Sequence, residues 1–374
     1  MKITDLKVRI VKHKLPSARP VPFGPRGSIA IVNVETDESI VGIGDAMTHS
    51  LYHEAALSVK VIIERGLRNL LVGENPVDVR RLWRKMYQSE IYTRQRGLAL
   101  NAISAIDTAL MDILGKKMNQ PVCRLLGGKH HEKIRVYASD LFDMRNPENT
   151  LRLVNRLVDE KFHAIKLGYG GFGLNLDESV KMIREIRDVV GYDVTLMVDG
   201  PSSLSVSEAI KLGRKMERYE IFWWEEPLPK DDMKGYIELS RTLDLNIAAG
   251  EQLQTAYEFK DWIINKAVDI IQPDVHVAGG LSECRRIGDL AELWNVPLVP
   301  HSWSTAINFM AALHLVASLN KALFVEYRTL STPLMTDILE EPIRIKDGYV
   351  EVPEKPGLGI ELNEEALSKY ELKI

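Results

Sequence analysis

From about residue 133 onward, short apolar segments alternate with amphipathic stretches, and each apolar segment ends on polar residues. The segments KIRVYAS, AIKLG, TLMVDG, FWWEEP, NIAAGEQ, DIIQPD, PLVPH and FVEYR read as eight strands separated by helices. Seven of these ends carry Lys166, Asp199, Glu225, Glu251, Asp274, His301 and Glu326. From Asp199 onward the intervals are 26, 26, 23, 27 and 25 residues, so a polar group returns to the same place in each successive unit. A barrel of parallel strands accommodates this pattern, with the polar ends gathered on its C-terminal face, where such barrels do chemistry.

The first stretch has a different texture. Residues 2–12 and 28–44 read as strands, the second broken by a polar turn at Asp37 and Glu38, and apolar spacing of three and four predicts helices over 53–71, 76–88 and 98–117. Residues 1–125 are therefore expected to form an α+β domain, and 126–330 the barrel. Residues 331–374, with the strand-like IRIKDGYVEV and a short terminal helix, are expected to return to the first domain. Between the first two strands, PSARPVPFGPRG (16–27) reads as an exposed, adaptable loop. With 27% charged residues and a net charge of -4, the chain has no basic excess for nucleic acid. Cys123 and Cys284 lie outside any CxxC pattern, and no uninterrupted apolar run approaches the ~20 residues of a membrane span. The reading is cytoplasmic, without membrane or nucleic-acid partners.

Alternation along a strand places Ile221, Trp223 and Glu225 on one face, so Glu225 enters the barrel mouth while Glu226 stays at the rim. Asp199, Glu225 and Glu251 on three adjacent strands repel one another unless a cation sits between them. All-oxygen donors with positions left for water favour Mg²⁺ over Ca²⁺, and Mn²⁺ could substitute. Asp274 and His301 end the next two strands, each preceded by proline, so the acid can hold one imidazole nitrogen while the other acts as a general base. Lys166 faces inward, where it can neutralise a substrate carboxylate or serve as acid or base.

Together, ISAIDTALMDILGK, AIKLG, MVDG, WWEEP, AAGEQ, QPDVHVAGG, PHSW, FVEY and PGLGIEL resemble the mandelate racemase group of the enolase superfamily over essentially the whole chain. The resemblance implies a modified TIM-type (β/α)7β barrel, capped by an α+β domain built from the N-terminal region and the C-terminal segment. It implies Mg²⁺ ligation by Asp199, Glu225 and Glu251, a His301–Asp274 base, and Glu326 as a hydrogen-bonding acid beside the substrate carboxylate. The 16–27 loop and THSLYH (48–53) would close over substrate, with Arg19, Phe23, Arg26, Tyr52 and His53 as contacts. It also implies a homo-oligomer, dimer or octamer. The shared chemistry of that superfamily is removal of a proton α to a carboxylate, giving a metal-stabilised enediolate.

One departure matters: members often carry Lys-x-Lys at the second strand, whereas here Gly168 follows Lys166-Leu167. Without a base on the opposite face, β-elimination from a sugar acid, aldonate or aldarate, fits better than racemisation. The product would be a 2-keto-3-deoxy acid, with His301 or Tyr169 protonating the leaving hydroxyl. The alternatives are a racemase, epimerase or cycloisomerase of the same superfamily, or a sugar-acid-binding paralogue without turnover. A literal GxGxxG, Gly168 to Gly173, suggests a dinucleotide site, but the helix is expected only after LNLDES, and the remaining acids would go unexplained. His276 is read as structural or supporting, His130 and His131 as solvated, Trp223 and Trp224 as core, and PKDDMK (229–234) as a solvated loop.

Overall fold

The computed structural model describes residues 1–14, 26–50 and 52–373, with residues 13, 14 and 26 described by backbone alone. Strands β1 (Ile3–Lys14), β2 (Arg26–Thr36) and β3 (Val41–Ala46) form an antiparallel sheet in that order. The predicted turn separates β2 from β3, and Thr36 Oγ1 closes it by donating to the Ile40 carbonyl at 2.8 Å. One face of this sheet lies on the helix Leu98–Met118. Contact is closest at Gly42 and Gly44, where a Cβ would fall 2.1 Å from the Ala109 carbonyl oxygen and 2.0 Å from that of Ala105. Only glycine allows strand and helix backbones to approach so closely.

Helix Leu98–Met118 is long and apolar enough to cross a membrane, yet 89% of its most apolar stretch is buried inside the fold. The helix expected over 53–71 is three consecutive pieces, Glu54–Val61, a wider turn Ile62–Leu67, and Arg68–Leu71. That expected over 76–88 begins later, at Val79.

The barrel consists of β4 (Lys133–Leu141), β5 (Ala164–Gly168), β6 (Thr195–Asp199), β7 (Ile221–Glu225), β8 (Asn246–Ala249), β9 (Ile270–Ile271) and β10 (Val325–Arg328). Neighbours from β4 to β9 pair in parallel, and β10 pairs in parallel with β4. Between β9 and β10 the stave expected at PLVPH is held by single bridges, Ile271 to Leu298 and Asp274 to His301. Pro273, Pro297 and Pro300 lack the N–H groups a continuous ladder would use, which explains why pairing there is reduced to isolated contacts. Inside the barrel, Tyr137, Ala164, Met197, Trp223, Ala248, Ile270, Val299 and Phe324 form one buried apolar layer, one residue from each stave. Large and small side chains mix in that layer, and Tyr137, Trp223 and Phe324 meet edge to face.

The C-terminal segment touches both parts. Strands β11 (Ile345–Lys346) and β12 (Tyr349–Glu351) form a hairpin whose second strand pairs antiparallel with β4. The helix Glu364–Tyr370 lies beside β1, where Arg9 pairs with Glu364 and Glu371. Buried acids of Leu98–Met118 stitch these pieces together. Asp112 accepts from the Leu358 and Ile43 amides at 2.8 and 3.0 Å, and Asp107 accepts from the Ser282 amide at 2.8 Å and its hydroxyl at 2.5 Å.

Burial pushes the Asp107 carboxyl up to about 7 against the pull of the Ser282 donors. The folded state then holds this proton more tightly than the unfolded chain, so the associated stability is present at acid pH and is lost as pH rises from about 4 through 7. Asp107→Asn is expected to remove that part of the slope, on the order of 3 kcal/mol, without moving other acids. Denaturant unfolding of both proteins at pH 5 and pH 8 checks it, and identical slopes would refute it.

Candidate active site

Moving two residues along each stave from the apolar layer turns its chemistry over. Ser139, Lys166, Asp199, Glu225, Gln272, His301 and Glu326 occupy the next inward positions, with Gly250 and then Glu251 on the remaining stave. The sequence-predicted Asp199, Glu225, Glu251, Asp274, His301, Glu326 and Lys166 are thus brought to one end of one barrel.

Lys166 sits at the centre. Its Nζ is 2.5 Å from Glu225 Oε1, 3.1 Å from Glu326 Oε1 and 3.7 Å from Asp199 Oδ2, and it lies over the Tyr137 ring. Burial opposes its charge, but Glu225 and Glu326 hold the ammonium protonated well above the usual lysine range. Glu225 Oε2 meanwhile accepts from Gln272 Nε2 at 2.7 Å and Trp223 Nε1 at 3.1 Å. Glu326 stays ionised despite burial because Lys166, His301 and the Ser302 amide, 2.7 Å away, pull its carboxyl down.

His301 Nδ1 lies 2.6 Å from Asp274 Oδ2, while Nε2 faces Glu251 at 3.3 Å and Glu326 at 4.0 Å. Burial disfavours the imidazolium, yet Glu251, Glu326 and Asp274 together raise it well above the ordinary histidine value. Asp274 Oδ1 accepts from the His276 amide at 2.7 Å and from Asn308 Nδ2 at 3.0 Å, so both oxygens of the acid are engaged.

The remaining acids are short of counter-charge. Burial and the neighbouring Glu225 and Glu251 raise Asp199 well above the carboxylate range, although Lys166 pulls it down, and burial raises Glu251 despite His301. Asp199 Oδ1 is buried with no hydrogen-bond partner. Asp199, Glu225 and Glu251 therefore fit a hard divalent cation in donor type, number and charge. Among the described residues, no three acid or imidazole groups are gathered as a finished cation site, since Lys166 and His301 engage Glu225 and Glu251.

A cavity of about 410 Å³ opens over this layer, lined by Lys166, Asp199, Glu251, Asp274, His301 and Glu326 below and by Met47, Thr48 and His49 from the capping domain above. Tyr169 and Trp303 form part of its wall. Burial, then Glu251, Asp199 and Glu226, keep the Tyr169 phenol protonated well beyond the usual range. Of the residues expected to contact substrate, Arg19 and Phe23 lie outside the described residues, as does the side chain of Arg26. Tyr52 is 82% exposed, and neither it nor His53 is among the lining residues, whereas His49 of the same stretch is.

Several participants escaped the sequence reading. Gln272 was legible, since it shares parity with Ile270 and Asp274 on one strand. Lys230, assigned to a solvated loop, lines the cavity, as does Gln252. Glu226 is not at the rim but 2% exposed, at φ 40°, with Oε2 accepting from Gln252 Nε2 at 2.6 Å. The glycine-rich turn does precede a helix, Leu176–Val190, which starts inside LNLDES rather than after it. Its cap is Asn175, whose side chain accepts from the Asp177 and Glu178 amides.

This fold and site define an enolase-type enzyme: a capped barrel with acids and a histidine–aspartate pair at the strand ends. Residues 149–366 match the family described as enolase C-terminal domain-like, and residues 6–127 that of the mandelate racemase / muconate lactonizing enzyme N-terminal domain. The chain belongs to the enolase superfamily, in its mandelate racemase-like subgroup. It is 33% identical over 350 residues to an arabinonate dehydratase of Saccharolobus solfataricus, covering 92% of this chain and 91% of that one. The crystal structure of a 3,6-anhydro-D-galactonate cycloisomerase from Zobellia galactanivorans superposes with a TM-score of 0.91, at 34% identity and 100% coverage of both chains. A racemase from Streptomyces coelicolor A3(2) with bound magnesium superposes with a TM-score of 0.89, at 26% identity, covering 99% of this chain and 100% of that one.

Removing one partner from a buried charge cluster leaves the others uncompensated. Lys166→Met is expected to lower stability by about 3–5 kcal/mol in chelator-containing buffer. Adding Glu225→Gln and Glu326→Gln to it should recover most of that loss. Urea unfolding measures both, and an unchanged midpoint for the single variant would rule out the lysine as the cluster's counter-charge.

Proposed function

We propose that the protein is a Mg²⁺-dependent dehydratase of a sugar acid, an aldonate or aldarate, converting it to a 2-keto-3-deoxy acid. The observation that carries this reading is the His301–Asp274 pair, held at 2.6 Å with the other imidazole nitrogen facing the acid cluster at the floor of the cavity. Similarity to an arabinonate dehydratase over nearly the full length supports the substrate class, and similarity to a magnesium-bound racemase supports the metal.

Asp199, Glu225 and Glu251 would hold the cation. When bound, it supplies positive charge that offsets the acids keeping His301 protonated and the negative charge gathering on the substrate carboxylate as its α-proton leaves. His301 Nε2 takes the proton from C2, and Asp274 holds Nδ1–H so that the ring keeps its orientation and tautomer. Lys166 provides fixed positive charge at the carboxylate, and Glu326 orients both Lys166 and His301. The electron pair left at C2 forms the C2=C3 bond as the C3–O bond breaks. The hydroxyl leaves as water with a proton from His301 or from Tyr169, and the enol becomes the 2-keto acid. Two buried, unpaired cysteines suit a reducing cytoplasm.

Gly168 favours elimination over racemisation. A Cβ there would lie 2.7 Å from Asp199 Oδ2 and 3.0 Å from its Cβ and Cγ, so a second lysine could not stand at this position without moving Asp199. A second reading, cycloisomerisation of a sugar-acid lactone or anhydro sugar acid, is favoured by the Zobellia structure and shares the first proton transfer.

A Mg²⁺-supplemented screen of aldonic and aldaric acids is expected to give 2-keto-3-deoxy acids with loss of one water. Hits that retain the water, as C2 epimers or ring-opened isomers, would overturn dehydration. His301→Asn is expected to lower turnover at least about a hundredfold with cation affinity retained; near-normal turnover would exclude it as the base. Tyr169→Phe decides the acid: lost turnover with α-hydrogen exchange intact assigns the second proton to Tyr169, and unchanged turnover assigns it to His301. Gly168→Ala should weaken Mg²⁺ binding by about tenfold or more in calorimetry, since the added methyl displaces Asp199. Unchanged affinity would remove Asp199 from the cation's donors.

A further inference from the structure

Asp274 is oriented by three donors, and two of them lead back to one residue outside the barrel. Asp45, the penultimate residue of β3 in the capping sheet, is 1% exposed and presents its carboxylate to the barrel. One oxygen is in ion-pair contact with His276 Nε2, itself 1% exposed. The other accepts from Thr305 Oγ1.

Each contact continues to Asp274 by a short path. The amide of His276 donates to Asp274 Oδ1 at 2.7 Å, so a side chain anchored on Asp45 sets where that donor points. Thr305 caps the helix Ala306–Ala317, its hydroxyl accepting from the Asn308 amide at 3.1 Å while donating to Asp45. Asn308 in turn donates from Nδ2 to the same oxygen of Asp274 at 3.0 Å. With Oδ1 gripped from both sides, Oδ2 is left to His301 Nδ1.

The charges agree with the geometry. Burial opposes an imidazolium at His276, but the adjacent Asp45 carboxylate and then Asp274 raise it above the ordinary histidine range. A carboxylate so deeply buried needs such a partner. The loop that follows is clamped by the same domain: Ser104 Oγ accepts from the Gly279 amide at 3.0 Å, and Trp83 Nε1 donates to the Gly279 carbonyl at 2.7 Å. Just beyond Asp45, Met47, Thr48 and His49 line the cavity, so the strand that carries the anchor also carries part of the cavity wall.

We propose that Asp45 is a positioning residue for the His301–Asp274 pair, acting through His276 on one side and through Thr305 and Asn308 on the other. The inference rests on the reading of that pair as the base. Docking of the capping domain thereby helps set the geometry of a pair carried by the barrel.

Asp45→Asn tests it, since the variant keeps shape and loses the charge. The expected result is a fall in kcat of about ten- to a hundredfold with KM changed less than about twofold, because a small misplacement of the base is felt in the proton transfer. The downfield proton resonance of the His301 Nδ1–H, assigned by its disappearance in His301→Asn, should shift or broaden. Unchanged kcat and an unchanged resonance, with only a lower Tm, would reduce Asp45 to a fastener of the two domains and overturn the proposal. If Asp45→Asn does not fold, Thr305→Val, which cuts one arm, is expected to perturb the same resonance while Thr305→Ser restores it; equal spectra for the two would overturn it as well. Failure of the functional reading is separable: a wild-type protein that exchanges no α-hydrogen on any sugar acid refutes the activity, while the resonance still decides whether Asp45 positions the pair.

Discussion

A buried ammonium at the barrel axis is the contact on which the rest of this structure depends. Lys166 stands directly above a layer of eight apolar side chains and touches Glu225 and Glu326 across the interior. Burying charge costs several kcal/mol per ion, and attraction within the cluster returns that only when geometry and hydrogen bonds are good. Here the secondary donors are present: Gln272 and Trp223 hold the far oxygen of Glu225, and the Ser302 amide holds Glu326. Even so, among the described residues six acids, Asp199, Glu225, Glu226, Glu251, Asp274 and Glu326, gather around Lys166 and His301. Such a surplus of acid is a poor device for stability and a good one for attracting a cation.

The barrel does not finish the site alone. Gly42 and Gly44 let the capping sheet sink onto helix Leu98–Met118, and this helix places Asp107 at the start of helix Leu281–Leu293 and Asp112 against the C-terminal segment. The same sheet delivers Asp45 to His276 and the 47–49 stretch to the cavity. Tight backbone contact in one place thus fixes polar contacts in several others, because close-packed elements move together or not at all.

How much of this was legible in the sequence depended on distance along the chain. Strand parity and the repeat from Asp199 to Glu326 are local signals, and they sufficed for the barrel, for the grouping of Asp199, Glu225, Glu251 and His301 at one end, and in principle for Gln272. Features that depend on conformation within a turn were not visible: Glu226 sits at φ 40° and turns inward to Gln252, where strand alternation placed it at the rim. Prolines gave the right ends for the two staves around Asp274 and His301 but not how little ladder would survive between them. Contacts between residues hundreds of positions apart, such as Asp45 with His276 and Thr305, leave no periodic trace at all. Lys230 was lost for a related reason, since a charge run reads as solvated whether or not one of its members leans over a cavity.

The choice between elimination and racemisation comes down to which faces of a bound substrate can exchange a proton. On the β9 side, Asp274 and His301 form a held pair whose other imidazole nitrogen faces Glu251. On the β5 side, the strand ends on Gly168, packed so tightly against Asp199 that any side chain there would displace a carboxylate the cation would need. In the proposed reading, a side chain added at that point would press on a carboxylate expected to hold the cation, which favours chemistry that needs a single base. Chemistry that needs one base and an acid within the same cavity is compatible with the packing, with the Tyr169 phenol kept protonated by burial and by the surrounding acids. Chemistry that needs a second base at Gly168 would require Asp199 to shift.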